Sequence, residues 1–229
     1  MVGDMGSSEF RILGDLDSVP RGARRALLIR HADRDGPLTK LIDDSVSINA
    51  RGEERAKSFG KQIQGQEGLR FHSSPVGRCV RTCECISRGY GSKVEIQPSA
   101  VIGMKGPFIL RPKEATQLMA ELGLVHFVDA YVKGELDPTV VMPCAEGAQR
   151  LISWTACKMR SGAPGTRIAV THDLILTPVL RQLFDYDVHG LGLIDFLDGF
   201  VLYEQGARVL ALYDGKEVDV TSMSFPLYR

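Results

Sequence analysis

Two short apolar runs in this chain each stop on a histidine: Leu27-Leu28-Ile29-Arg30-His31 and Ile168-Ala169-Val170-Thr171-His172. A brief apolar run bounded by polar residues is the pattern of a buried strand. Strands buried on both faces belong to sheets covered by helices on either side. The segments between them agree. Ala56, Phe59 and Ile63 recur at helical spacing among charges, so the stretch from Asn49 to Ile63 is an amphipathic helix. Leu69 to His72 is a second strand, followed by the turn Ser73-Ser74-Pro75 and a helix from Val76 to Ser87. Val94-Glu95-Ile96 is a third strand. The spacing also predicts helices over 113–122, 125–132 and 146–159, and a closing hairpin of Phe200–Tyr203 with Val209–Tyr213. Alternating strands and helices define an α/β fold: a three-layer sandwich with a mostly parallel central sheet and a small helical insertion. Residues 1–24 lack periodicity and are expected to form a loosely ordered leader, with one domain over 25–229. Residues 98–145 carry much of the chain's proline and break the alternation, so they are expected to form a cap-like insertion.

In an open α/β sheet, ligands bind where strands reach their carboxyl ends. His31 and His172 would then face one crevice, and the helix after Ser74-Pro75 would bring Arg78 to it. Arg30 and Arg34 flank His31 with planar forks that suit phosphate oxygens. Adjacent cations disfavour imidazolium, so His31 is expected to be neutral, and a neutral imidazole held against a phosphoryl group is a nucleophile. Arg30, Arg34, Arg78, His31 and His172 together make a candidate pocket for a phosphate dianion.

Charge adds an exclusion. The 28 basic and 28 acidic residues balance, so nothing global draws the chain to nucleic acid or an anionic membrane. The 5 cysteines, an odd number, with no secretory leader, read as reduced thiols of a soluble cytoplasmic protein. No apolar run reaches membrane-spanning length. Nothing in the sequence specifies an oligomeric state.

The motifs resemble those of the histidine phosphatase superfamily, which includes the cofactor-dependent phosphoglycerate mutases and the histidine acid phosphatases. Arg30-His31-Ala32 is similar to its Arg-His-Gly signature, with alanine at the glycine position. Ser73-Ser74-Pro75-Val76-Gly77-Arg78 through Thr82 resembles its Ser-Ser-Pro-x-x-Arg-x-x-x-Thr segment, and Thr171-His172-Asp173 its second histidine motif. Asn49-Ala50-Arg51-Gly52 and Glu146-Gly147 fall at similar landmarks. The resemblance implies a phosphoglycerate mutase-like fold and a phosphomonoesterase acting on a small phosphorylated metabolite, without metal or cofactor. It implies His31 as the phosphorylated nucleophile, with Arg30, Arg78 and His172 on the phosphoryl oxygens. The mutase-like branch takes its general acid from a Glu after the third strand, but Gln97 to Gly103 holds no carboxylate. The acid phosphatase branch uses the Asp after the second histidine, here Asp173, and Arg34 and Pro37 fit that branch too. The resemblance therefore sets the chain mechanistically nearest the acid phosphatases, with Glu114, Glu146 and Asp43-Asp44 as fallback carboxylates.

Other readings compete. A phosphate-binding protein without turnover would keep the arginines, and a mutase-like phosphotransferase would keep the nucleophile. Cys144 to Arg150 satisfies Cys-x5-Arg, but Glu146 inside that loop would repel phosphate. Cys79, Cys83 and Cys85 lack the partners a metal site needs and are expected to be buried thiols on a helix.

Overall fold

The computed structural model describes residues 9–36, 46–93 and 95–225. Its strands form one seven-stranded sheet in the order β3-β2-β4-β1-β5-β6-β7. The strands are β1 (Arg25–Arg30), β2 (Arg70–Ser73), β3 (Ile96–Pro98), β4 (Thr166–Thr171), β5 (Gly199–Gln205), β6 (Arg208–Tyr213) and β7 (Lys216–Asp219). The first four in spatial order pair in parallel, and β5, β6 and β7 add antiparallel strands beyond β1. The helices are α1 (Arg11–Ser18), α2 (Ala50–Gln62), α3 (Gly77–Tyr90), α4 (Pro112–Leu122), α5 (Leu124–Lys133), α6 (Cys144–Arg160), α7 (Asp173–Phe184) and α8 (Val188–Leu191). The α/β sandwich expected from the sequence is the fold observed, with β7 as an extra edge strand.

Buried apolar residues divide into two clusters, one for each face of the sheet. Leu27, Ile29, Ile168 and Val170 face one side with Phe59 and Phe71, whereas Leu28, Ala169 and Phe200 face the other with Leu151 and Leu176. This alternation along β1 and β4 is the two-residue period of a pleated strand covered on both faces. On the first face, α2 and α3 come close through glycines. A Cβ on Gly60 would lie 2.1 Å from the Ile86 carbonyl, and one on Gly89 2.0 Å from that of Lys57. Glycine at both points lets the helices touch backbone to backbone, which holds the Arg78-bearing helix against α2.

Two expectations change. The segment 1–24 is not a loose leader throughout, because α1 lies within it. Phe10, Ile12, Leu13, Leu16 and Val19 are buried in the first cluster. Arg11 grips Asp198 with Nε and Nη2 (3.0 and 2.6 Å) and Asp15 with Nη1 (2.6 Å). Apolar spacing in a short helix is easily hidden by glycine and aspartate, as in Arg11-Ile12-Leu13-Gly14-Asp15-Leu16. The third strand also runs two residues later than expected; Val94 lies outside the described residues. Within 98–145, α4 and α5 pack through Met119, Phe127, Val128 and Tyr131 into the cluster containing α6 and α7. Among the described residues no helix is long and apolar enough to cross a membrane.

At the amino ends of β1 and β4, Arg24 and Arg167 donate to the last carbonyls of α6 and the turn after it. Arg167 reaches Lys158, Ser161 and Ala163 (3.2, 2.7 and 3.0 Å), and Arg24 reaches Met159, Arg160 and Gly162 (3.2, 3.1 and 2.8 Å). These carbonyls have no partner within the helix, so the guanidinium groups satisfy them. A cavity of about 630 Å³ lined by Arg21, Arg25, Gln64 and Gly165 opens at this end, away from both histidines.

Docking of α1 has a measurable consequence. Ile12→Ala removes a fully buried side chain and should cost about 2–5 kcal/mol in urea unfolding. A change below about 0.5 kcal/mol would mean the segment is a loose leader after all.

Candidate active site

Parallel pairing in register places Arg30 of β1 opposite Thr171 of β4. The next residues on each chain, His31 and His172, therefore emerge side by side at the carboxyl edge. The His31 amide donates to the Thr171 carbonyl (3.0 Å), and the two rings meet edge to face at 5.5 Å. On the next strand, Ser74 N donates to the Val170 carbonyl (2.9 Å), and Ser74 Oγ lies 2.9 Å from His172 Nε2. From there α3 begins, and its first turn brings Arg78 to both rings. Arg78 Nε donates to His31 Nε2 (3.1 Å), and Nη2 lies 3.3 Å from His172 Nδ1.

These contacts define the tautomers. Guanidinium groups only donate, so His31 Nε2 must present a lone pair, and its proton sits on Nδ1, which faces the Ala32 carbonyl at 2.8 Å. By the same reasoning His172 Nδ1 accepts from Arg78, and its Nε2–H donates to Ser74 Oγ. Both rings are buried, at 2% exposure each. Burial first, then the charge of Arg30, holds His31 neutral, well below the usual histidine range. Burial, then Arg78, holds His172 down to about 3. The loop after His31 is fixed from three directions. The Ala32 amide donates to Thr82 Oγ1 (3.0 Å), and the Asn49 amide donates to the Asp33 carbonyl (2.9 Å). Gly52 lies against Asp33 so closely that a Cβ would come within 2.3 Å of its carbonyl oxygen. Asn49 Oδ1 caps α2 by accepting from the Gly52 amide (2.8 Å).

Arg30 lies across this edge. Its Nη2 pairs with Asp173 Oδ2 and its Nη1 donates to the Ile194 carbonyl, both at 2.6 Å. The Phe196 ring lies under the guanidinium, 3.9 Å from its centre. Among the described residues the buried Nε atoms of Arg30 and Arg34 have no hydrogen-bond partner, and Arg34 is near enough to lower the affinity of both Arg30 and His172 for protons. Asp173 opens α7, and its Oδ1 accepts from the Leu174 amide (2.8 Å). Burial by itself would raise this carboxyl. The Arg30 guanidinium more than offsets that, holding it ionised below the usual carboxylate range. Thus Arg30, His31, Arg34, Arg78, His172 and Asp173 all gather at one edge.

The other candidates have other roles or lie outside the described residues. Glu146 pairs with Arg150 at 2.8 Å on α6, and Glu114 is in the first turn of α4. Asp43, Asp44 and Pro37 are outside the described residues. Cys144 is buried, with its thiol pushed up to about 12 chiefly by burial, so it offers no thiolate for a cysteine mechanism. Cys79, Cys83 and Cys85 are buried thiols on α3. Phe196, Met104 and the Ile194 carbonyl were not among the sequence candidates. Leu193-Ile194-Asp195-Phe196-Leu197 reads as an ordinary apolar stretch, and nothing in it marks a ring destined for Arg30.

Residues 26–100 match the model of the histidine phosphatase superfamily (branch 1). The fold is similar to that of several solved structures. One is Bacillus stearothermophilus YhfR, at 16% identity and a TM-score of 0.57, covering 83% of this chain and 96% of that one. Another is a mycobacterial glucosyl-3-phosphoglycerate phosphatase, at 16% identity and a TM-score of 0.53, covering 82% and 90%. A third is the Entamoeba histolytica phosphoserine phosphatase, at 15% identity and a TM-score of 0.53, covering 86% and 94%. No curated protein matches the chain in sequence. The family resembled by the motifs is thus the family matched, the histidine phosphatase superfamily. The matched model is that of branch 1, whereas the motif reading set the chain nearest the acid phosphatases on the strength of Asp173, Arg34 and Pro37.

Neutral buried histidines make stability fall in acid. Between pH about 6.5, where unfolded histidine titrates, and the lower folded values near 3 for His172 and near 4 for His72, only the unfolded chain takes up these protons. The urea midpoint should therefore drop as pH is lowered from 7 to 5, while the ring resonances of His31 and His172 stay at their neutral positions. Either ring titrating near pH 6.5 in the free protein would contradict the tautomers assigned above.

Proposed function

We propose that the chain is a metal-independent phosphomonoesterase that works through a phosphohistidine on His31. The observation that carries this reading is the His31 ring itself: neutral, buried, with Nδ1–H held by the Ala32 carbonyl and the Nε2 lone pair beside Arg78. The family match and the phosphatases of similar fold support phosphoryl chemistry in general. Here the incoming phosphoryl group draws the Arg78 Nε–H off His31 Nε2 onto one of its own oxygens, and the freed Nε2 lone pair forms a bond to phosphorus as the bond from phosphorus to the leaving oxygen breaks. Water then attacks phosphorus, the N–P bond breaks, and inorganic phosphate leaves.

Arg30, Arg34 and Arg78 supply fixed positive charge for the phosphoryl oxygens, and His172 becomes imidazolium beside the bound dianion. Asp173 is assigned the proton transfers. While it pairs with Arg30 it is a carboxylate and has no proton to give. A phosphoryl group that draws Arg30 onto its own oxygens removes that pairing, and a buried carboxyl without its cation takes a proton. It then protonates the leaving oxygen and receives a proton from the attacking water. A binding protein without turnover would keep the same cations and lack the covalent step.

His31→Ala should lower turnover of p-nitrophenyl phosphate by at least about 10³-fold and abolish an acid-labile phosphoenzyme, with vanadate still bound. EDTA should leave the wild-type rate unchanged. Persistent activity in the variant would remove the nucleophile, and loss on chelation restored by Mg²⁺ would remove the metal-free route. Asp173→Asn should slow an alkyl phosphate by about 100- to 10,000-fold, the worth of a positioned acid, and p-nitrophenyl phosphate far less. Equal small losses on both would leave Asp173 as a helix-capping residue only.

A further inference from the structure

We propose that Phe196 and Met104 seat the substrate's leaving group, and that the group they select is a planar aromatic ring, so that the substrates are aryl phosphates; this rests on the phosphoryl site proposed above. Around the reacting nitrogen nearly every side chain is charged or polar and buried. Among the described residues, Phe196 and Met104 are partly buried apolar side chains set against its arginines. The Phe196 ring lies 5.6 Å from that of His31, tilted by 46°, with the Arg30 guanidinium on it at 3.9 Å. Met104 Sδ lies 3.8 Å from Arg78 Nη2, on the same guanidinium that contacts His31.

Both are held before any ligand arrives. The Ile194 amide donates to Thr177 Oγ1 (3.1 Å), the Leu197 amide to the Arg30 carbonyl (3.2 Å), and the Arg30 amide to the Asp198 carbonyl (2.9 Å). The backbone on both sides of Phe196 is therefore tied to β1 or α7. On the other segment, Thr171 Oγ1 donates to the Ile102 carbonyl (2.8 Å), two residues before Met104. A pre-positioned ring loses little entropy on binding.

Chemistry then chooses the occupant. Phosphorus must reach bonding distance of His31 Nε2, so the atoms just beyond the leaving oxygen come to the mouth that these residues border. An aromatic ring there gains contacts with the Phe196 ring and with the Met104 thioether, both of which favour aromatic over aliphatic partners. A sugar would lose water from its hydroxyls against a benzyl ring and a thioether. Lys105 and Asp195, the charged residues next along the two segments, are exposed.

Phosphonates test this without chemistry, because their C–P bond is not hydrolysed. Benzylphosphonate should bind at least about tenfold more tightly than methylphosphonate, with cyclohexylmethylphosphonate well behind benzylphosphonate. Phe196→Ala should shrink the benzyl-to-methyl ratio to about threefold or less, and Met104→Ala should shrink it in part. Methylphosphonate affinity reports the cationic clamp in each variant, so a ratio corrects for any movement of Arg30. A wild-type ratio near one, a ratio unchanged in both variants, or cyclohexylmethylphosphonate binding as well as benzylphosphonate would overturn the proposal. Failure of every phosphonate to bind, alongside a normal phosphohistidine in the wild type, would overturn it too. Absence of both binding and phosphoenzyme would bring down the phosphoryl-site reading beneath it.

Discussion

Everything at the candidate site depends on how β1 pairs with β4. Parallel strands in register deliver equivalent positions to the same edge, so two motifs about 140 residues apart in the chain become neighbours through backbone hydrogen bonds alone. The His31 amide extends that ladder by one more bond to Thr171, and Ser74 extends the neighbouring one to Val170. Side-chain chemistry is then laid over a frame whose register is already specified by the alternation of Leu27, Leu28 and Ile29 between the two faces. A slip of one residue would turn that alternation inside out, so the buried faces themselves protect the geometry.

The electrostatic design is lopsided. Three arginines approach two histidines and one carboxylate in a buried setting, and isolated charges there are costly. The cost is met unevenly. Arg30 has Asp173, the Ile194 carbonyl and the Phe196 face, and Arg78 uses the histidines themselves as acceptors. The rings tolerate this only because they are neutral. Among the described residues the buried Nε atoms of Arg30 and Arg34 have no acceptor, which gives the region donor capacity that an anion fits. Proteins commonly store such imbalance where they bind ligands.

Much of this was legible in the sequence, for a physical reason. The strands ending on His31 and His172, the turn at Ser73-Ser74-Pro75, and the helices over 50–62 and 144–160 announce themselves by local periodicity and turn chemistry. Six residues named from motif logic converge at one edge. What was missed depends on long-range packing. Nothing local distinguishes Phe196 from a core phenylalanine, because its role comes from a loop that folds back on β1. Helix α1 is short, its apolar spacing is broken by Gly14 and Asp15, and much of its packing is against β5 and β6, far along the chain. The ion pair between Arg30 and Asp173 is likewise invisible in either motif read separately. It sets the resting charge of a carboxyl that the motif alone would present as a ready acid.

That far-end docking bears on how the chain comes together. Arg11 belongs to the earliest described helix, yet its partner Asp198 lies 187 positions later, and Asp15 accepts from Asp214 and Gly215 amides at a separation of about 200. During synthesis the side of α1 that packs on β5 and β6 stays uncovered until those strands exist. A segment so early in the sequence and so late in its contacts makes closure slow. It leaves a sticky, amphipathic stretch exposed while the rest assembles, which is where a nascent chain is most open to aggregation or to chaperone capture.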